Sequence, residues 1–279
     1  MDLQIESITQ SLSSLQVKND YINDDINNTE KQNKIKQIKQ IKQIKQIKQI
    51  IKIQSWFRGC MYRLKHLPLI MYKIQKYIKT LMFKCSKANS DGRDNSKIDE
   101  KMLIPLLIEK FRNRIIQARD RFWYDILAYD NMYGWIPINI KTSNLNTSDN
   151  TGNLSICVYS YTDEILDLYR EKNYDNGKMS VILFDKLKAK KYNKSNKKDY
   201  YFIVLNKSNC NDIIINSVKG LSILTSNLNN LPFQICWDKN KDFYYENINK
   251  KIKKFIECLQ KPKPSWNEVF MKNIRTIEL

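Results

Sequence analysis

A chain of 279 residues with a formal charge of +19 is long enough for one sizeable core plus an appendage, and its basicity calls for a polyanionic partner, either nucleic acid or an acidic protein. A single histidine, His66, excludes His-dependent hydrolases and HExxH metalloproteases, and the six glycines form neither GxGxxG nor GxxxxGK[ST], so any catalysis rests on carboxylates, lysine and an added metal. Six widely spaced cysteines without CxxC argue against zinc and for a reduced, intracellular setting, while the absence of a signal peptide or an 18-residue apolar run predicts no membrane association.

Residues 1–30 hold one Lys against six acids and read as an acidic, disordered leader. Residues 31–84 hold fifteen Lys and Arg and no acid. Within them, Lys34 to Gln49 repeats Ile-Lys-Gln with a period of three. On an α-helix each such step turns about 300°, so successive isoleucines wind around the axis and build no buried stripe. The repeat reads as a solvated basic helix or disorder, with contact to nucleic-acid phosphates as the functional alternative.

The repeat runs into Ile53-Gln54-Ser55-Trp56-Phe57-Arg58-Gly59-Cys60-Met61-Tyr62-Arg63. This resembles the IQ motif, IQxxxRGxxxR, whose helix is gripped by calmodulin-like EF-hand proteins. Ile53, Phe57, Cys60, Met61 and Leu64 fall on one helical face. Gln54, Arg58 and Arg63 offer donors to an acidic partner, and Gly59 lets that partner approach the backbone. The alternative is a helix that packs on the neighbouring domain with its arginines in water. Pro68 kinks or ends this helix, and Leu69–Lys84 reads as a second one.

Turn-rich Ser86–Lys97 marks a boundary between a basic segment, 31–85, and a domain, 86–279. Asp99–Arg119 has helical spacing, with an early break at Pro105. Trp123–Tyr129 and Trp135–Lys141 then read as two strands of a hairpin turning at Asp130, Asn131 and Gly134. Asn139 and Lys141, two apart on a strand, share a face. Leu154–Ser160 and Ser180–Phe184 are strands or buried helix segments, and Thr162–Glu171 is helical in spacing. Tyr200–Leu205, Asp212–Ile215 and Phe233–Trp237 read as strands, and Phe243–Leu259 as a closing helix with solvated lysines. The mixed order predicts an α/β or α+β fold, a central mixed sheet flanked by helices, preceded by a basic helical arm.

The hairpin resembles the PD-(D/E)XK nuclease superfamily, specifically type II restriction endonucleases, with Asp125 as the first acid and Asn139-Ile140-Lys141 as the second half-motif. Asn139 departs from the usual carboxylate. The segments around 91–100, 142–153, 199–207 and 230–240 extend the resemblance from Asp91 to the C-terminus. It implies that Glu100, Asp125 and Asn139 ligate Mg²⁺ or Mn²⁺, that Lys141 activates water, and that double-stranded DNA is cut by a symmetric dimer. Asp130 is the alternative acid. Without catalysis, Glu100 is an ordinary N-terminal helix acid, Lys141 caps a strand, and Asp125 pairs with a basic neighbour such as Arg121. Asn206, Lys207, Asn209, Lys219, Asn227, Asn229, Asn230 and Gln234 are loop candidates for reading base edges or phosphates. A different class of function is a regulatory protein with a nuclease fold that has lost activity, acting through its IQ-like helix.

Overall fold

The computed structural model describes residues 36–55, 66–86, 92–120, 122–169, 175–195, 197–227, 232–244, 246–261 and 268–278. The chain divides into two units, Met1–Gly59 and Cys60–Leu279. In the first, α1 (36–55) is helical and exposed throughout. Ile38, Ile41, Ile44, Ile47 and Ile50 are each 52–55% exposed, the uniformity expected when a three-residue repeat spirals around a helix. Ile53 and Gln54 end this stretch exposed; Arg58, Gly59, Arg63 and the acidic leader lie outside the described residues.

The second unit is mixed α+β. It contains α2 (Leu69–Thr80), α3 (Gly92–Phe111), β1 (Ile115–Gln117), β2 (Ile126–Asp130), β3 (Gly134–Ser143) and β4 (Ser148–Asp149). After these come α4 (Leu154–Tyr161), α5 (Asn176–Lys188), β5 (Tyr201–Asn206), β6 (Asn209–Ser217), β7 (Thr225–Ser226), β8 (Phe233–Cys236), α6 (Ile248–Gln260) and α7 (Glu268–Ile274). A five-stranded sheet runs β1-β2-β3-β5-β6, with β3 and β5 parallel and all other neighbours antiparallel. A small antiparallel sheet runs β4-β8-β7.

The large sheet separates two cores. Ile126, Ile136, Ile138, Ile140, Ile203 and Ile215 pack with Ile70, Ile74 and Ile78 of α2 and Leu103 and Leu107 of α3. Phe202, Val204 and Ile214 pack on the other side with residues of α4–α7. Pro137 is tolerated inside β3 because the ladder to β5 begins one residue later, at Ile138 opposite Tyr201.

Several expectations are corrected. α2 belongs to the second unit, since its i, i+4, i+8 isoleucines lie in the core; the compositional boundary near 85 marks a change of charge and not of packing. α3 starts earlier and passes through Pro105, whose ring sits on its exposed side, then yields to β1 where a helix to Arg119 was expected. Leu154–Tyr161 and the region of 180–184 are helices, and Thr162–Tyr169 is not helical. Among the described residues no helix is long and apolar enough to cross a membrane.

Cys85 and Cys210 form a disulfide, where the spacing predicted free thiols. It ties the chain before α3 to the start of β6 across 125 residues. Closing a loop of that length removes much unfolded-state entropy. Cys210→Ser should therefore lower unfolding stability by about 2–5 kcal/mol. Denaturant titration checks this, and reductant should shift the wild type but leave the variant unchanged.

Candidate active site

Asp125 stands one residue before β2. Its amide still donates to Ile138 O (3.0 Å), but its carboxylate turns back on β3. Oδ2 accepts from the Ile140 amide (2.7 Å) and from Asn139 Nδ2 (2.7 Å). The Ile140 amide points towards β2 where that strand has ended, so the carboxylate supplies the acceptor that the ladder lacks. The first predicted strand is therefore shorter than Trp123–Tyr129, and Asp125 is a polar substitute for strand backbone.

These bonds orient the Asn139 amide. With Nδ2 given to Asp125, Oδ1 is buried without a hydrogen-bond partner. Lys141, on the same face, pairs through Nζ with Asp149 Oδ1, and Asp149 Oδ2 accepts from Trp237 Nε1 (2.9 Å). Glu100 comes from the third turn of α3, so it is not a first-turn acid at the helix dipole. Its Oε1 accepts from Ser96 Oγ (3.1 Å), and the same hydroxyl accepts from the Thr142 amide (3.3 Å), binding α3 to β3. Glu100, Asp125, Asn139, Lys141 and Asp149 all line one cavity of about 600 Å³.

Burial raises the Glu100 pKa to about 7, and the nearby Asp125 and Asp99 carboxylates push in the same direction against Ser96 and Lys141. Burial also raises Asp125 to about 6, against the Ile140 amide, Lys141 and Asn139. Among the described residues, no three His, Cys, Asp or Glu side chains cluster as a metal site. The donors present are two carboxylates and the unpartnered amide oxygen of Asn139, a hard-oxygen set that fits Mg²⁺ or Mn²⁺ completed by water.

The other candidates separate clearly. Asp130 accepts from the amides of Ile70 (3.1 Å), Met132 (2.8 Å) and Tyr133 (3.2 Å), so it caps α2 and its own turn. Lys219 is half-buried, with Nζ donating to the carbonyls of Asn193, Ser195 and Lys198 at 2.8–3.3 Å. Asn227 and Gln234 both donate to Asn150 Oδ1 (3.1 and 2.7 Å), and Lys207 lines the cavity. Asn206 and Asn209 accept local backbone amides. Arg121, Asn229 and Asn230 lie outside the described residues.

Sequence reasoning missed Asp149, Ser96 and Trp237. Asp149 lies in the polar stretch 142–153, where no periodicity distinguishes a site acid from a loop acid. Comparison with family models, curated proteins and solved structures found no significant match.

Because both site acids have folded pKa values above their ordinary ones, the folded state holds extra protons between about pH 4 and 7. Their favourable contribution is present below that window and lost as pH rises through it. Glu100→Gln, which stays neutral, should gain in Tm relative to wild type between pH 5 and pH 8 in metal-free buffer. Parallel melting curves at the two pH values check this; a constant difference would show that Glu100 is not held near neutrality.

Proposed function

We propose that this protein is a metal-dependent endonuclease with a restriction-endonuclease-like fold that hydrolyses phosphodiester bonds of double-stranded DNA. One observation carries the reading: Glu100, Asp125, the unpartnered oxygen of Asn139 and Lys141 line the same cavity. A divalent cation held by the three oxygen-bearing side chains would supply an acidified water and polarise the scissile phosphate. Glu100 and Asp125 provide the negative charge for this ion, and binding it would relieve their mutual repulsion. Lys141 orients the attacking water and offsets charge developing on the phosphate. Asp149, itself held by Trp237, fixes where that ammonium sits.

Purified protein incubated with plasmid and Mg²⁺ or Mn²⁺ should nick or linearise it, and EDTA should stop this. Asp125→Ala should abolish metal binding and cleavage. Lys141→Ala should lower the rate by about 10²–10⁴-fold while leaving DNA affinity nearly intact, since its charge acts chiefly in the transition state. Asn139→Asp adds a third negative ligand and should tighten Mn²⁺ binding by calorimetry. Cleavage at the wild-type rate by both alanine variants would remove the reading.

The neutral residue at Asn139 and the engagement of Lys141 by Asp149 favour a second reading, a non-catalytic regulator acting through the IQ-like segment. In that case the full chain should bind calmodulin, and Ile53→Ala with Arg58→Ala should abolish binding. An absence of heat in calorimetry, with and without Ca²⁺, would discard this alternative.

A further inference from the structure

Part of the cavity is left unused by the chemistry proposed above. Phe122, Trp123, Thr151, Ile156 and Tyr200 also line it. Trp123 is only 9% exposed, and its indole N–H has no hydrogen-bond partner; the Thr151 hydroxyl is likewise buried and unpartnered. A buried donor without an acceptor is costly, so such groups call for an explanation. The indole is held in place: Tyr200 stacks on it (centroids 5.7 Å, 29°), and Tyr124 and Tyr159 pack at 5.1 Å. Tyr200 Oη also donates to the Trp123 carbonyl (2.8 Å). The N–H is therefore an oriented donor.

A ligand suited to this wall must be flat and largely apolar, carry an acceptor for Trp123, and offer an edge group to Thr151. No Lys or Arg belongs to this set, whereas Lys97, Lys141 and Lys207 line the rest of the same cavity, so a phosphate is placed there and an uncharged group here. A nucleobase has the required carbonyl or ring-nitrogen acceptors. A cavity of about 600 Å³ suits one nucleotide, lying within the roughly 300–1,000 Å³ of small-molecule sites. A base still stacked in a duplex cannot enter such a space.

We infer that the cavity is a base-accepting subsite: one nucleotide of the substrate strand leaves its stack, sets its base edge on Trp123 and Thr151, and brings its phosphate to Glu100, Asp125 and Lys141. The placement of the phosphate rests on the endonuclease reading; the base contact does not. Unstacking costs most in a paired duplex and least where the base is already unpaired, so unpaired nucleotides are the preferred entrants.

The test is fluorescence anisotropy in EDTA, with the full-length protein and a labelled 12-nucleotide DNA of mixed sequence. The strand is offered alone, fully paired, and with its three central nucleotides abasic. The single strand should bind about 5-fold or more tightly than the duplex, and the abasic strand should lose a similar factor. Thr151→Val, which keeps the side-chain volume, and Trp123→Phe should each weaken the intact strand about 3–10-fold and leave the abasic strand unchanged, the size of one lost hydrogen bond. Equal affinity for intact and abasic strands, or no effect of Thr151→Val, would overturn the subsite. Cleavage is scored separately: a protein that discriminates bases but cuts nothing keeps the subsite and loses the endonuclease. One that cuts but ignores the bases loses the subsite alone.

Discussion

The parallel pairing of β3 with β5 is the constraint on which the rest of this structure depends. It places β3 inside the sheet, with an apolar core on each side, so every β3 side chain must face a core or a walled cavity. Ile136, Ile138 and Ile140 take the side covered by α2 and α3. Asn139 and Lys141 are left to the opposite side, where Phe202 and Val204, their register partners on β5, already belong to the second core. Two polar side chains in that position need partners, and the chain supplies them from two directions: Asp125 before β2 and Asp149 on β4, the latter held in turn by Trp237 after β8. The polar site is thus a consequence of where the sheet is buried.

The same geometry loads the site electrostatically. Asp125 is engaged by backbone and amide donors, yet burial still raises its pKa, and its charge adds to the pressure on Glu100. The arrangement leaves an acceptor, Asn139 Oδ1, without a donor beside two carboxylates that resist ionisation. Such a constellation is poorly satisfied by the protein alone and well satisfied by a hydrated cation.

Charge elsewhere is less superficial than a net value of +19 suggests. Lys251, on the α6 face expected to be solvated, is 3% exposed; Nζ donates to Leu221 O (2.5 Å) and lies 5.0 Å from the centre of the Tyr244 ring. Lys219 is held by three carbonyls. Burial lowers the pKa of both to about 8. These lysines tie loops to the domain through their ammonium groups, whereas the lysines of α1 are open to solvent. Net positive charge is densest in residues 31–84, which hold fifteen Lys and Arg and no acid.

By itself the sequence determined the features that depend on local repetition or short-range pattern. The spiralling isoleucines of α1, the hairpin turning at Asp130–Gly134, the strand character of 201–206 and the shared face of Asn139 and Lys141 all follow from periods of 3, 3.6 or 2. Tertiary structure decided what composition cannot encode. Whether 154–161 became helix or strand depended on which core had room for a segment buried on every side, and whether α2 joined the domain depended on its isoleucines meeting those of the sheet. Asp149 and Asp130, both acids in turn-rich sequence, received opposite assignments, one facing the cavity and one capping a helix, because only the packed chain sets which backbone amides and ammonium groups lie within reach of each carboxylate.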